Sequence, residues 1–341
     1  MGACADNSHQ APSPKVGSRR PLIIEKGAGL RPPKRAVTCG GEHYIAGIDQ
    51  PRRHLILVNP SAGGGRAREL LPRLESALRE RALAYRLVLT TSLEHGCAEA
   101  RRAATLGEIP VVMSGDGMIG QVGGILAGGE VPMGVIPGGR GNDLARVLGI
   151  PTDIPGAVEL LAVGSTRTID VGEVDGSRFL GIASCGFDSE ANRLANESRF
   201  GGSLVYAFAA LRALIAWKTA TFTLELEHGT ERVSGYTVAA ANSKAYGGGM
   251  LAAPNAELDD GLLDVGVTGD VSKLRFVRGL SQIFKGEHLE TLEVRVWRAA
   301  RVRIEADRPF TVYADGDPIA ELPATVCVLP RALSVIAPTP S

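Results

Sequence analysis

At roughly 150 residues per domain, the 341 residues of this chain point to two domains or one large one. Hydrophobic residues make up 44% and charged residues 22%, which supplies a core and excludes wholesale disorder. Lys+Arg 37 balance Asp+Glu 37, so no net field draws the molecule onto nucleic acid, and none is expected as a partner. Residues 1 to 53 carry nine Lys/Arg against four Asp/Glu, several prolines and no helical or strand period. They read as a basic, mostly disordered leader with neither a secretory h-region nor a myristoylation pattern, since Asp6 breaks the latter. The five cysteines (Cys4, Cys39, Cys97, Cys185, Cys327) form no CxxC, and the six histidines no HExxH. A reduced, cytoplasmic protein is the expectation.

From His54 onward, short apolar runs alternate with helical periods. LILVN is followed by ARELLPRLESALRERA, YRLVLT by CAEARRAATL, and PVVMSGDG by a short helix to Leu126. MGVIPGG then precedes NDLARVLG. Strands of four to six residues separated by helices of 10 to 15 predict βαβ units, and hence a doubly wound α/β domain with a parallel sheet. After one more helix, AVELLAVG, the period shortens to two through TIDVGEV, RFLGIAS, TFTLELEH, RVSGYTVAAAN, LLDVGVT, TLEVRVW, RVRIEA and FTVYADG, which predicts a mainly antiparallel β domain. Its one strong helix is expected at 203 to 217. This is also the longest apolar run; interrupted by Arg212, it falls short of a bilayer span.

Three glycine-rich loops follow strands of the first domain: Asn59-Pro60-Ser61-Ala62-Gly63-Gly64-Gly65, Ser114-Gly115-Asp116-Gly117, and Pro137-Gly138-Gly139-Arg140-Gly141-Asn142-Asp143. In an open parallel sheet such loops lie beyond the carboxyl ends of the strands, where N–H groups meet phosphate oxygens. None is a Walker A loop or a GxGxxG, which disfavours a P-loop ATPase and a standard dinucleotide fold. Asp116, between two glycines at a strand end, is placed to hold Mg²⁺ that bridges nucleotide phosphates. Carboxylates crowd again at Glu257-Leu258-Asp259-Asp260-Gly261-Leu262, and Asp315-Gly316-Asp317 fits either a functional pair or a hairpin turn.

In combination, NPSAGG, SGDGMIGQV, PGGRGNDLARVLGIP, TIDVGEV, YGGGMLAAPNAELDDGLLDV and YADGDPI with LPRALSVIAP resemble the diacylglycerol kinase catalytic family, the bacterial lipid kinases related to sphingosine and ceramide kinases. The resemblance runs from about His54 to Pro338. It implies a Rossmann-like N-terminal lobe (54–165, with 330–338 returning to it) and a β-sandwich lobe (166–329), as in NAD kinases and diacylglycerol kinases. It also implies an ATP site in the cleft and a lipid hydroxyl as acceptor. By it, Asn59, Pro60, Ser61 and Gly63 look like the first nucleotide loop, and Thr90 or Thr91 like the adenine-side threonine. Ser114, Gly115, Asp116, Gly117 and Met118 form the second loop, and Gly139, Arg140, Gly141, Asn142 and Asp143 the third. The resemblance further implies that Asp116 holds Mg²⁺-ATP and that the Glu257 and Leu262 carbonyls with the Asp260 carboxylate bind a structural Mg²⁺; Asp317 is similar to the family's general base, with Asp315 beside it.

Three positions depart from the pattern: Met118 and Arg140 stand where threonine is usual, and Gln121 where glutamate is usual. Two other readings therefore stay open: an NAD kinase-like phosphotransferase with a soluble substrate, and a degenerate nucleotide- or lipid-binding regulator. A lipid acceptor requires peripheral contact with a membrane, and the helix at 203 to 217 is a candidate for lining the acyl groove, with a core helix as its equal alternative. A sheet edge of the β domain could pair two copies as a homodimer.

Overall fold

The computed structural model describes residues 23–26, 52–187, 189–190 and 214–339. Four parallel strands form the first sheet: β2 (His54–Val58), β3 (Tyr85–Leu89), β4 (Ile109–Ser114) and β5 (Gly134–Pro137), in the order β3-β2-β4-β5. All five residues of β2 are buried, as expected where helices cover both faces and a strand reads as an unbroken apolar run. The leader contributes an element the sequence did not suggest: β1 (Ile23–Lys26) lies antiparallel on the β3 edge.

Helices α1 (Arg66–Glu69), α2 (Leu71–Glu80), α3 (Leu93–Thr105), α4 (Asp116–Leu126), α5 (Asp143–Val147) and α6 (Ile154–Val163) alternate with these strands. Leu74, Ala77 and Leu78 give α2 a buried stripe at i, i+3, i+4. Ser92 caps α3 by accepting the His95 N–H, and Asp153 caps α6 by accepting the Gly156 N–H. One apolar cluster packs α3 and α4 on the sheet, and a second packs α2 and α6 on its other face.

The second sheet has eleven strands: β6 (Thr166–Val174), β7 (Ser177–Phe179), β8 (Ile182–Gly186), β9 (Ala220–Leu226), β10 (Gly229–Ala241), β11 (Leu263–Gly269), β12 (Arg295–Ala299), β13 (Arg301–Ala306), β14 (Thr311–Ala314), β15 (Asp317–Glu321) and β16 (Ala324–Ile336). Every pairing in it is antiparallel. Burial alternates along β9, which packs one face into a core that includes Phe222, Leu224, Val302 and Val326. The 13-residue β10 joins β9 with its first half and β8 with its second, and meets β11 on its other edge.

The C-terminal strand β16 stitches the lobes together. Its end lies parallel to Met133, whose N–H donates to Ser334 O at 2.8 Å, and the Ser165 hydroxyl donates to Ala337 O at 2.8 Å. Beyond the helical residues at 187, 189–190 and 214–216, two further helices break the β succession among the described residues, where the sequence pattern indicated only 203 to 217: α7 (Lys273–Gln282), continued by a 3-10 turn at Ile283–Lys285, and α8 (His288–Thr291). The short period of the flanking strands masked α7. The helix expected at 203 to 217 lies outside the described residues except for 214–217, of which 214–216 are helical.

Candidate functional site

The three glycine loops meet at the carboxyl ends of β2, β4 and β5. A Cβ on Gly139 would fall 2.5 Å from Gly115 Cα, and one on Gly63 would fall 2.8 Å from Gly138 O, so adjoining loops touch backbone to backbone. Asn142, in the left-handed region at φ 54°, folds its side chain back on the third loop. Its Oδ1 accepts the Gly139 N–H at 2.9 Å and its Nδ2 donates to Gly139 O at 3.2 Å. The first loop is closed by Asn59 Oδ1, which accepts the Ser61 N–H at 3.0 Å. Pro60 follows Asn59 where the chain leaves the sheet, and Ser114 is buried at the end of β4.

Carboxylates cross-link this floor. Asp116, at the N-terminus of α4, accepts the Asp143 N–H on Oδ1 at 2.6 Å, and Asp143 Oδ2 accepts the Gly248 N–H of the second lobe at 2.8 Å. Asp143 Oδ1 is buried with no hydrogen-bond partner among the described residues. Burial, followed by the charge of Asp143, raises the Asp116 carboxyl above the ordinary aspartate range, against the pull of the amides it accepts. Two close, desolvated carboxylates with an unused buried oxygen form a donor set suited to a hard cation. Arg140 is exposed beside them, its guanidinium 3.3 Å from where a Cβ on Gly64 would sit, and it lines the same cavity as Gly117 and Gly141.

The Asp315-Gly316 pair is indeed a hairpin turn: both residues have positive φ, 51° and 97°, and Ala314 faces Asp317 across β14 and β15. It also does something a bare turn would not. The Asp315 carboxylate accepts the N–H groups of Leu180 (2.8 Å), Gly181 (2.9 Å) and Ile182 (3.3 Å), fixing the entry to β8. Burial pushes this carboxyl up to about 6 despite the three amides, and the charge of Asp116 adds to the rise. Asp315 and Gly316 line the cavity; Asp317, half-buried at the start of β15, is not on its wall and makes no hydrogen bond or ion pair among the described residues.

Between the lobes lies a cavity of about 830 Å³. Asp116, Arg140, Asp143 and Asp315 supply its charged wall, while Phe187, Phe276, Leu280, Ile283, Leu292 and Val294 make much of the rest apolar. Sequence reasoning missed the contribution of α7, whose Phe276 and Leu280 recur at helical spacing between residues that read as loop.

Other expected site residues fall elsewhere. Met118 is buried, and a Cβ on Gly96 of α3 would lie 2.4 Å from its Cε and 3.3 Å from Thr90 Cγ2, so the thioether fills the space left by a helical glycine. Thr90 is buried with its hydroxyl on Val58 O at 3.3 Å, whereas Thr91 is exposed and its N–H donates to His95 Nδ1 at 3.2 Å.

The structural Mg²⁺ implied for Glu257, Asp260 and Leu262 does not fit the residues present. Asp260 Oδ1 accepts the Leu262 N–H at 2.9 Å, and its Oδ2 is ion-paired to Arg298, whose Nε also reaches Asp264 at 3.4 Å. A guanidinium already supplies the positive charge there.

Residues 53–174 match the family described as the diacylglycerol kinase catalytic domain, and residues 181–337 match the YegS C-terminal NAD kinase beta sandwich-like domain. A protein named diacylglycerol kinase from Mycobacterium tuberculosis is 36% identical over 304 residues, covering 85% of this chain and 98% of its own. A probable lipid kinase YegS-like protein from Pseudomonas aeruginosa is 30% identical over 298 residues, covering 86% and 97%. The fold also matches the crystal structure of a putative diacylglycerol kinase from Bacillus anthracis, with a TM-score of 0.72 at 22% identity over 87% of this chain and 99% of that one.

Proposed function

The chain belongs to the diacylglycerol kinase catalytic family, and from that premise we propose that it transfers the γ-phosphoryl group of ATP to the hydroxyl of a diacylglycerol or a related lipid. The observation that carries this reading is the continuity of two unlike surfaces in one cavity. Glycine loops with clustered carboxylates suit a nucleotide and its cation, and they open onto apolar walls built from Phe187, Phe276, Leu280 and Ile283. A soluble dinucleotide acceptor would leave those walls unmatched, which argues against the NAD kinase-like alternative. The degenerate reading loses one of its supports, because Met118 is explained by its packing on Gly96.

Mg²⁺ bound with the nucleotide supplies charge neutralisation at the phosphate oxygens. Asp116 and Asp143 would hold it, through the unpartnered Asp143 Oδ1 and the remaining Asp116 oxygen. Amides of the three loops approach the phosphates, and Arg140 offers a planar fork to one of them. The acceptor proton goes to Asp317, which directly follows the cavity-lining Gly316 and has no bonding partner among the described residues, while Asp315 is a positioning residue because three amides already occupy its carboxylate. Positioning and electrostatics provide most of the acceleration, since the hydroxyl keeps its proton until late in a loose transition state.

The test is phosphoryl transfer to micellar lipids by wild-type protein, Asp116→Ala and Asp317→Ala. Product that requires both carboxylates supports the reading; ATP binding without transfer to any lipid overturns it.

A further inference from the structure

Helix α7 has two apolar faces. Phe276, Leu280 and, in the turn that follows, Ile283 face the cavity. On the adjoining, solvent-facing side Leu274 is 83% exposed, Val277 48% and Phe284 57%, and these positions recur at i, i+3 and i+10 with only Ser281 between them on that face. Ile215 is joined to this patch, being 69% exposed with its carbonyl bonded to Lys273 Nζ at 2.7 Å.

The patch is framed by charge of one sign. Residues 273–285 contain Lys273, Arg275, Arg278 and Lys285 and no acidic residue. Arg275 is tied to Glu293, but Arg278 and Lys285 make no ion pair with the described residues. On the helical projection the exposed apolar residues lie between Lys273 on one side and Arg278 and Lys285 on the other. A cluster of large exposed apolar side chains on a monomer surface marks a contact site. Apolar residues flanked by long basic stems are the pattern of a helix lying in the interface of an anionic bilayer, where the stems reach headgroup phosphates.

We propose that the outer face of α7, with Leu274, Val277 and Phe284 inserted and Lys273, Arg278 and Lys285 on headgroups, docks the protein on an anionic lipid bilayer. The same helix then presents its inner face to the acyl chains of a lipid entering the cavity. This proposal rests on the lipid-kinase reading for its purpose, although the docking can be measured without it. Other occupants of the face are a second copy of this chain and the apolar segment 204–213, which lies outside the described residues.

The experiment is sedimentation of the full chain, without ATP, with vesicles of phosphatidylcholine alone or with phosphatidylglycerol added. Wild type, Leu274→Asp/Phe284→Asp and Arg278→Glu/Lys285→Glu are compared at low and high salt, and each variant's urea unfolding is matched to wild type. The expected result is binding to the anionic vesicles, weakened by salt, and at least tenfold weaker in both variants. Transfer to a short-chain, monomerically dispersed diacylglycerol is measured beside it and is expected to be unchanged in both variants. Anionic binding that survives both variants overturns the proposal, as does equal binding to the two vesicle types. Wild type that ignores vesicles, with variants that change only oligomeric state or unfolding midpoint, assigns the face to the second copy or to the chain's own segment. Failure of the short-chain reaction in wild type, with vesicle binding intact, sinks the kinase reading and leaves the docking surface standing.

Discussion

Asp143 donates its backbone N–H to Asp116 Oδ1 at 2.6 Å, which ties the first turn of α5 to the first turn of α4 and sets two carboxylates side by side. Asp143 then reaches Gly248 in the second lobe, so the glycine-loop floor and the lobe interface share one pair of residues. Asp116→Ala removes both the acceptor and a charge proposed to hold the cation. Its expected outcome is a loss of kcat/KM of roughly 10²- to 10³-fold, the scale of removing one electrostatic group. Mg²⁺-ATP affinity should fall with it, as read by calorimetric titration.

Asp315 and Asp317 should separate cleanly. Asp317→Asn is expected to lower kcat by about 10²- to 10⁴-fold, the usual share of general-base catalysis, with an unchanged urea midpoint, because the side chain has no partner among the described residues. Asp315→Ala should lower the midpoint as well, since it leaves three amide donors of residues 180–182 without an acceptor. Denaturation curves alongside steady-state rates decide between the two roles.

The raised Asp315 carboxyl has a definite sign in stability. The folded protein keeps its proton up to about pH 6, whereas an exposed aspartate releases it near 3.9. Its contribution is therefore complete below about pH 4 and is lost as pH rises through about 6. Asp315→Asn should flatten that decline between pH 4 and 7, which chemical denaturation measured across this range will show. A wild-type stability that rises across the same window by way of Asp315 would contradict the assignment.

Gly139→Ala should separate the second and third loops, because the neighbour its Cβ meets at 2.5 Å is backbone and has no rotamer to escape into. Overpacking of this kind costs about 1–3 kcal/mol. The expected readout is a higher KM for ATP with a smaller change in lipid KM. Met118→Thr, by contrast, restores the usual residue of the second loop, and it should cost on the order of 2 kcal/mol of stability while moving kcat only a few fold, since the side chain is buried against α3.

Arg298→Ala should expose the carboxylates of Asp260 and Asp264 to each other. Arg298 is half exposed, so the expected loss is about 1 kcal/mol, well short of a fully buried pair. Millimolar Mg²⁺ should then raise the melting temperature of the variant more than that of the wild type. Equal shifts would indicate that the guanidinium does not stand in for a cation.

The parallel sheet was legible because its strands are unbroken apolar runs punctuated by glycine loops, and those loops carried both the floor of the cavity and the family resemblance. The antiparallel domain was legible from period-two strands such as β9. Helix α7 was not, because it is a single 10-residue amphipathic segment set among period-two strands, whose alternation dominates the local pattern. The role of Asp315 depended on amides 135 residues away in sequence, a distance no local pattern spans. The exchange of a cation for Arg298 was equally hidden, because Arg298 meets Asp264 only through the register of β11 and β12.

The central claim is a phosphate site that opens onto a lipid cavity, and one measurement tests it most directly. Purified protein is given γ-labelled ATP, Mg²⁺ and, in parallel, micellar diacylglycerol and NAD, with Asp317→Ala as the control. The account predicts label in the lipid, none in NAD, and loss of the lipid product in the variant. Label in NAD, or label in neither despite bound ATP, would contradict it.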